Sequence, residues 1–315
     1  MPEWGRVVVI ALQAGIVCVV VATGLRSRWS DATYLLKRPG MLARAVVARN
    51  VLVPLAALAL VSVYTRDPAL RAAILVLSAT GVPPTLPESE FRAGTREQTA
   101  LGLLISQTLL AIVFVPATLM VFNAVLGTNA SFAPASVIAV VGELTLVPFF
   151  IGLVVSYISH DFAARISLRV HRLGQLLLML GVVGVVLAFT RTWLALLGNG
   201  TLLVITLMVV VAIMIGHALG GQRRHDRVAL AIAAGSSHPG LAVAIVAGSA
   251  PAAIVGEVVA AVMLYLVVST LVTRGYTFLM RDIPSDIQWR AGGDRRSVRR
   301  DTPDRRRVWD TTRAQ

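Results

Sequence analysis

The stretch GSSHPGLAVAIV, residues 235–246, sits inside a nearly uncharged run from Val228 to Thr273. That run is apolar enough for membrane crossings, yet Ser236, Ser237, His238, Pro239 and Gly240 place poor helix formers midway through one of them. Proline lacks an N–H and pushes the residue before it out of the helical region, so a regular helix cannot pass through His238 and Pro239. Backbone freed in this way is tolerated at membrane depth only where it is buried in protein or lines a wet cavity. A second stretch, SATGVPPTLPESE at residues 78–90, breaks likewise. Gly81, Pro83 and Pro84 follow a short apolar run there and forbid a regular helix from Val82 to Thr85. Two such breaks predict a polar interior within the bilayer.

The composition around them fits that setting. Of 315 residues, 56% are hydrophobic and 14% charged, and the mean hydropathy is +0.77, which places the chain among all-α integral membrane proteins. The net charge of +13 comes mostly from arginines that cluster in loops and in the C-terminal tail. A nucleic-acid partner would need basic and aromatic residues interleaved on a soluble fold, so none is expected. The single cysteine, Cys18, lies inside the first apolar segment, which leaves neither a disulfide nor a thiolate metal cluster. Val7 to Leu25 reads as a retained transmembrane helix, because the residues before it mix one Arg with one Glu and no small-x-small cleavage site follows.

A spanning helix needs about 20 apolar residues. That ruler divides the chain into nine transmembrane helices: Val7 to Leu25, Leu42 to Tyr64, Ala69 to Pro87, Thr99 to Leu126, Ala133 to Ile158, Leu173 to Thr190, Leu202 to Leu219, Val228 to Gly248 and Ala252 to Thr273. Basic loops alternate with poor ones. Arg26, Arg28, Lys37, Arg38 and Arg44 follow segment one, Arg165, Arg169 and Arg172 follow segment five, and Arg223, Arg224 and Arg227 follow segment seven. The positive-inside rule therefore puts the N-terminus outside and the C-terminus in the cytoplasm of a plasma (inner) membrane. Beyond Arg281 the chain becomes an Arg-rich tail, 281–315, expected to be disordered and able to meet anionic lipid headgroups.

The two breaks occupy matching places. Segments one to four run span, span, broken span, span, and segments six to nine repeat the order, with first and third members starting about 62 and 55 residues apart. The odd helix between them, 133–158, gives the second copy the opposite orientation. An inverted repeat results, 5–126 against 169–274, whose discontinuous helices cross near the midplane and form the substrate site. Residues 1–280 thus form one transporter domain.

GSSHPGLAVAIV, together with GVPPTLPESEFRAGTREQTALGLLISQTLLAIVFVP and NVLVPLAALAL, resembles the bile acid:sodium symporter superfamily in a nine-helix form. The resemblance covers roughly Gly5 to Arg274. It implies a panel domain that moves against a core domain containing the crossed helices, with segments one, two, six and seven dividing off the panel and part of its supports. It also implies a sodium site of hydroxyl, amide and backbone oxygens around the crossing. Thr85, Thr99 and Ser237 would supply such a site here, and Na+ is the one cofactor expected. The family's glutamate before the second break falls near Ala233, where no acid replaces it. Arg49 and Asn50 fall close to its sodium-binding glutamine. The arsenite exporters of the same superfamily rely on a cysteine in the first crossing helix, which this chain lacks.

Several polar groups are candidates for the site. The Arg49 guanidinium either does a cation's electrostatic work or snorkels to the nearby surface. His238 either relays a proton or binds an anionic substrate, or else bonds a carbonyl freed by Pro239. Half-helix N-termini at Gly240 and around Thr85 would aim peptide dipoles at an anion, which points to an organic carboxylate as the solute. Glu143 is a structural partner or a proton carrier, Glu257 lies near the outer end of segment nine, and Glu88, Glu90 and Glu97 are read as a solvated face at the cytoplasmic mouth.

The leading function is a secondary transporter that moves a small organic anion by alternating access, with Thr85, Thr99, Ser236, Ser237 and His238 at the crossing and coupling to sodium or protons. A channel or a sensor on the same scaffold is the alternative. An enzyme is not expected, since His217 and His238 lie on different segments, no H-E-x-x-H occurs, and Ser236 has no evident acid-base partner.

Overall fold

A computed structural model describes residues 3–28, 33–86, 89, 90, 95, 97–126, 134–188, 196, 200–249 and 252–281, so the expectations for the tail lie outside the described residues. Helices account for all the regular structure there, and no strand occurs among the described residues. α1 is Glu3–Arg26; α2 is Pro39–Tyr64; α3 is Pro68–Ala79; α4 is Glu97–Leu126. α5 runs as Pro134–Val141, a wide turn Gly142–Leu146, and Val147–Ile158. α6 is His160–Ala188, α7 is Thr201–Leu219, α8 is Arg224–Gly235, α9 is Pro239–Ser249 and α10 is Ala252–Arg281. Among the described residues seven helices are long and apolar enough to cross a membrane, with α8 and α9 counted together, and α3 and Ile10–Arg26 are shorter apolar helices. Large apolar side chains such as Val63, Ile158 and Leu187 face outward, as a hydrocarbon surround requires. The chain is a multi-pass membrane protein.

Local chemistry sets the helix ends. Asp67 caps α3 by accepting from the N–H groups of Ala69 and Leu70 at 2.9 and 3.4 Å, and Pro68 at the first helical position has no N–H to strand. Inside α2 the pattern changes. Pro54 removes the donor for the Asn50 carbonyl and its ring crowds that oxygen, so the helix widens to a π turn over Val47–Leu52. Pro148 has the same effect in α5, where Gly142–Leu146 form the second π turn.

The helices pack in two groups. α1 lies along α6 and along the Val147–Ile158 half of α5, at distances only glycine permits: a Cβ on Gly24 would stand 2.3 Å from the Phe149 carbonyl oxygen, and one on Gly152 2.3 Å from that of Val21. In lipid, where apolar surfaces gain nothing by meeting each other rather than acyl chains, such close backbone contact is a main source of helix association. In the second group α7 packs on α8 through Gly216 and Gly220, and α10 packs on α3, α7 and α9. Thus α5 joins α1 and α6, whereas α2 and α7, expected with the panel, pack with each other and with the broken helices.

Three further expectations change. α6 begins at His160, so Arg165, Arg169 and Arg172 ride on a helix rather than in a loop; no Gly or Pro interrupts His160 to Leu173, and Asp161 suits its first turn. α10 continues past Thr273 and through Gly275 to Arg281, with no proline in that stretch to end it. Glu90 is buried rather than part of a solvated face, and neither of its carboxylate oxygens has a hydrogen-bond partner. Glu88 lies outside the described residues.

Burial pushes the Glu90 carboxyl well above its ordinary value of 4.5, because desolvation penalises the charged form. A group whose folded pKa is raised binds more protons in the native state. Its contribution to stability is therefore present below the unfolded pKa and lost as pH rises through the folded one. Glu90→Gln is expected to raise the melting temperature at alkaline pH, with little change at acidic pH; identical pH profiles for wild type and variant would contradict this burial. Gly152→Leu is expected to cost on the order of 3 kcal/mol by overpacking, read as a lowered melting temperature. Gly275→Ala, where a Cβ meets nothing within 4 Å, is expected to leave it unchanged or slightly raised.

Candidate functional site

α3 stops at Ala79, and Thr80 to Pro83 run on without helical structure. Pro83 and Pro84 cannot donate, and the turn they make is closed by Leu86 N–H to the Pro83 carbonyl at 2.9 Å. α8 stops at Gly235, Ser236 to His238 are extended, and α9 restarts with Pro239 in its first position. One backbone bond joins the two breaks: His238 N–H donates to the Gly81 carbonyl at 3.0 Å. Each interruption therefore satisfies part of the other.

Helices ending inside a protein leave carbonyl oxygens without partners and a partial negative charge at that end. α3 and α8 both present such ends here. Arg49, 1% exposed, reaches across from the π turn of α2 to bind them. Its Nη1 donates to the Ser78 carbonyl at 2.8 Å, and its Nη2 donates to the carbonyls of Leu77 and Thr80 and to Ser237 Oγ, the last at 3.1 Å. Tyr265 of α10 completes the α8 end: its hydroxyl accepts from Ser237 N–H at 2.7 Å and donates to the Gly235 carbonyl at 3.0 Å. The neighbouring Asn50 donates to Gln107 of α4 at 2.9 Å.

His238 caps α9. Its Nδ1 accepts from Leu241 N–H at 3.1 Å and its carbonyl accepts from Ala242 N–H, which leaves the Gly240 amide as the end group of that helix. With Nδ1 accepting, the neutral ring carries its proton on Nε2. That Nε2 is buried and has no partner. The imidazole does not bind a carbonyl freed by Pro239; its second nitrogen is a spare donor.

A cavity of about 240 Å³ lies beside His238. Pro83, Pro84 and Thr85 of the first break line it, as do Ser236, Ser237, His238, Pro239 and Gly240 of the second. Leu12 and Ile16 of α1 and Leu178 and Val182 of α6 close it on the apolar side. α10 adds a row of hydroxyls and Arg274. Ser269, Thr270 and Thr277 spend their hydroxyl protons on carbonyls of their own helix, so their oxygens face the cavity chiefly as acceptors.

Not every residue expected at the site lines this cavity. Arg49 and Asn50 stand behind it, and Thr99 is buried beside Tyr34, with 3.5 Å between the two hydroxyl oxygens. Glu143 is exposed in the π turn of α5 and does not line this cavity. Sequence reasoning missed Tyr265, Arg274 and the hydroxyls of α10. A tyrosine midway along an apolar run was the available signal for the first, since a buried phenol needs a partner.

The three expected sodium ligands do not all line one cavity. Of the proposed ligands, Ser237 Oγ already accepts from Arg49, and Thr99 lies outside the cavity that Thr85 lines. Hard cations want several oxygens, usually with an anionic one. Sodium placed roughly 4 Å from the guanidinium would be repelled by about 4 kcal/mol at an effective dielectric of about 20.

No curated protein matches the chain. The model of the sodium bile acid symporter family matches residues 13–218, a span that takes in the first break, Arg49 and the helices α2 to α7. Covering more than half of the chain, this match makes the protein a member of the sodium bile acid symporter family, whose members are transporters.

Proposed function

We propose that the protein is a secondary transporter that carries a small organic anion, a carboxylate, by alternating access and in step with an ion gradient. The observation that carries this reading is a cavity lined by both breaks and by the N-terminus of α9, with His238, whose buried Nε2 donor has no partner, in its wall. An N–H with no acceptor at a positive helix end asks for an anion. The Gly240 amide adds a second donor, and Arg274 adds a cation at the same cavity. A carboxylate accepts from two donors at once, which suits it to this pair.

The packing supports the movement. α1, α5 and α6 form a panel, and the other helices form a core around the crossing. The cavity lies between them, with Leu12, Ile16, Leu178 and Val182 on the panel side, so rocking one group against the other opens it to alternate faces. In this reading there are nine spans. α1 to α4 and α6 to α10 are the inverted repeats, joined by α5, and α3 and the α8–α9 pair are the crossing helices. Thr85, Ser236, Ser237, His238 and Gly240 touch the solute, while Arg49, Asn50 and Thr99 hold the frame. The N-terminus lies outside and the C-terminus in the cytoplasm of the plasma (inner) membrane, where the Arg-rich tail 281–315 meets anionic headgroups.

The test uses His238→Asn in proteoliposomes. Asparagine keeps an acceptor for Leu241 N–H and so keeps the cap, but it removes the Nε2 donor. A panel of carboxylates including 2-oxo acids is screened by thermal shift, and the best stabiliser is measured in uptake and counterflow. Wild type is expected to saturate and to show counterflow. The variant should keep its melting temperature yet bind about ten-fold or more weakly, the cost of losing a hydrogen bond to a charged group. Flux without saturation or counterflow indicates a channel and contradicts the proposal.

A further inference from the structure

We propose that the Arg49 guanidinium fills the place of a coupling cation at the crossing, so that this member of a sodium symporter family works without sodium. In transporters built from broken helices, unwound carbonyls and half-helix C-terminal ends are the groups that hold a cation. The chain has two such ends at one place, α3 and α8. The carbonyls of Leu77, Ser78 and Thr80 at the α3 end and the hydroxyl of Ser237, just beyond the α8 end, are all turned onto one guanidinium that belongs to a third element, α2. A planar fork of five N–H donors can serve several carbonyls at fixed angles, which suits it to this position better than an ammonium.

Two features set this apart from a structural ion pair. No carboxylate among the described residues contacts Arg49, so its charge is compensated by peptide dipoles and the hydroxyl rather than cancelled by an acid. The crossing therefore keeps a positive charge immediately behind the cavity, and Ser237 both touches Arg49 and lines that cavity. The charge is also tethered. A dissociable ion would enter and leave in each cycle and so transmit its gradient; a side chain fixes the crossing in the cation-bound arrangement and transmits no sodium gradient. The family match brings an expectation of sodium, and the residue that occupies its oxygens removes the means of binding it.

The test does not need the solute. Purified full-length protein is titrated with NaCl against choline chloride at constant ionic strength, following thermal unfolding and, separately, binding of radioactive sodium. Wild type is expected to show superimposable unfolding curves in the two salts and no saturable sodium binding; a saturable, sodium-specific upward shift overturns the proposal. Arg49→Gln vacates the oxygens and is expected to gain a saturable sodium-specific shift. A folded Arg49→Gln protein that remains indifferent to sodium also overturns it, because the oxygens would then not form a cation site. Should the glutamine variant fail to fold, the wild-type titration alone still decides. The consequence for flux rests on the transporter reading, but the two fail separately: counterflow tests the anion, and this titration tests the cation.

Discussion

Peptide groups released inside a bilayer must find partners, and in this chain those of two broken helices find one another and one arginine. His238 N–H meets the Gly81 carbonyl, and the guanidinium of Arg49 gathers carbonyls from the end of α3 and the hydroxyl of Ser237 beyond the end of α8. Without these bonds each break would leave several unsatisfied groups at membrane depth, at a cost of several kcal/mol apiece. The interruption is tolerable because it is shared. Tyr265, reaching in from α10, bonds the two loose groups that remain at the α8 end.

The same arrangement sorts charge. The carbonyls at the C-terminal end of α3 converge on the guanidinium, and the N-terminus of α9 lines the cavity on the other side of Ser237. The negative end of α3 is thereby spent on a fixed cation, while a positive helix end remains at the cavity. Glycine contacts let α1 lie close against α5 and α6, and this group meets the cavity only through apolar side chains.

Much of this was legible in the sequence, because proline and glycine at membrane depth leave few backbone options. The stretches at 78–90 and 235–246 marked both breaks, and the residues of the second line the cavity as a block. Other features depended on geometry that spacing does not carry. Arg49 sits near the start of its segment and could equally have snorkelled; the π turn that Pro54 induces turns it inward instead. The corresponding turn before Pro148 leaves Glu143 exposed, so the same device points one charged side chain in and another out. Glu90 read as a solvated acid because its neighbours are polar, yet it is buried. The grouping of helices was also out of reach, since panel and core differ by which glycines meet which backbone.

The most direct test of the shared crossing is a double-mutant cycle on Arg49 of α2 and Ser237 of the break between α8 and α9, 188 residues apart in sequence. Thermal stabilities of Arg49→Gln, Ser237→Ala and the double variant give their coupling. If the guanidinium ties the two breaks together, the coupling is about 1 kcal/mol or more, as for a hydrogen bond to a charged group. Additive effects would show that the breaks are held independently and would contradict this account.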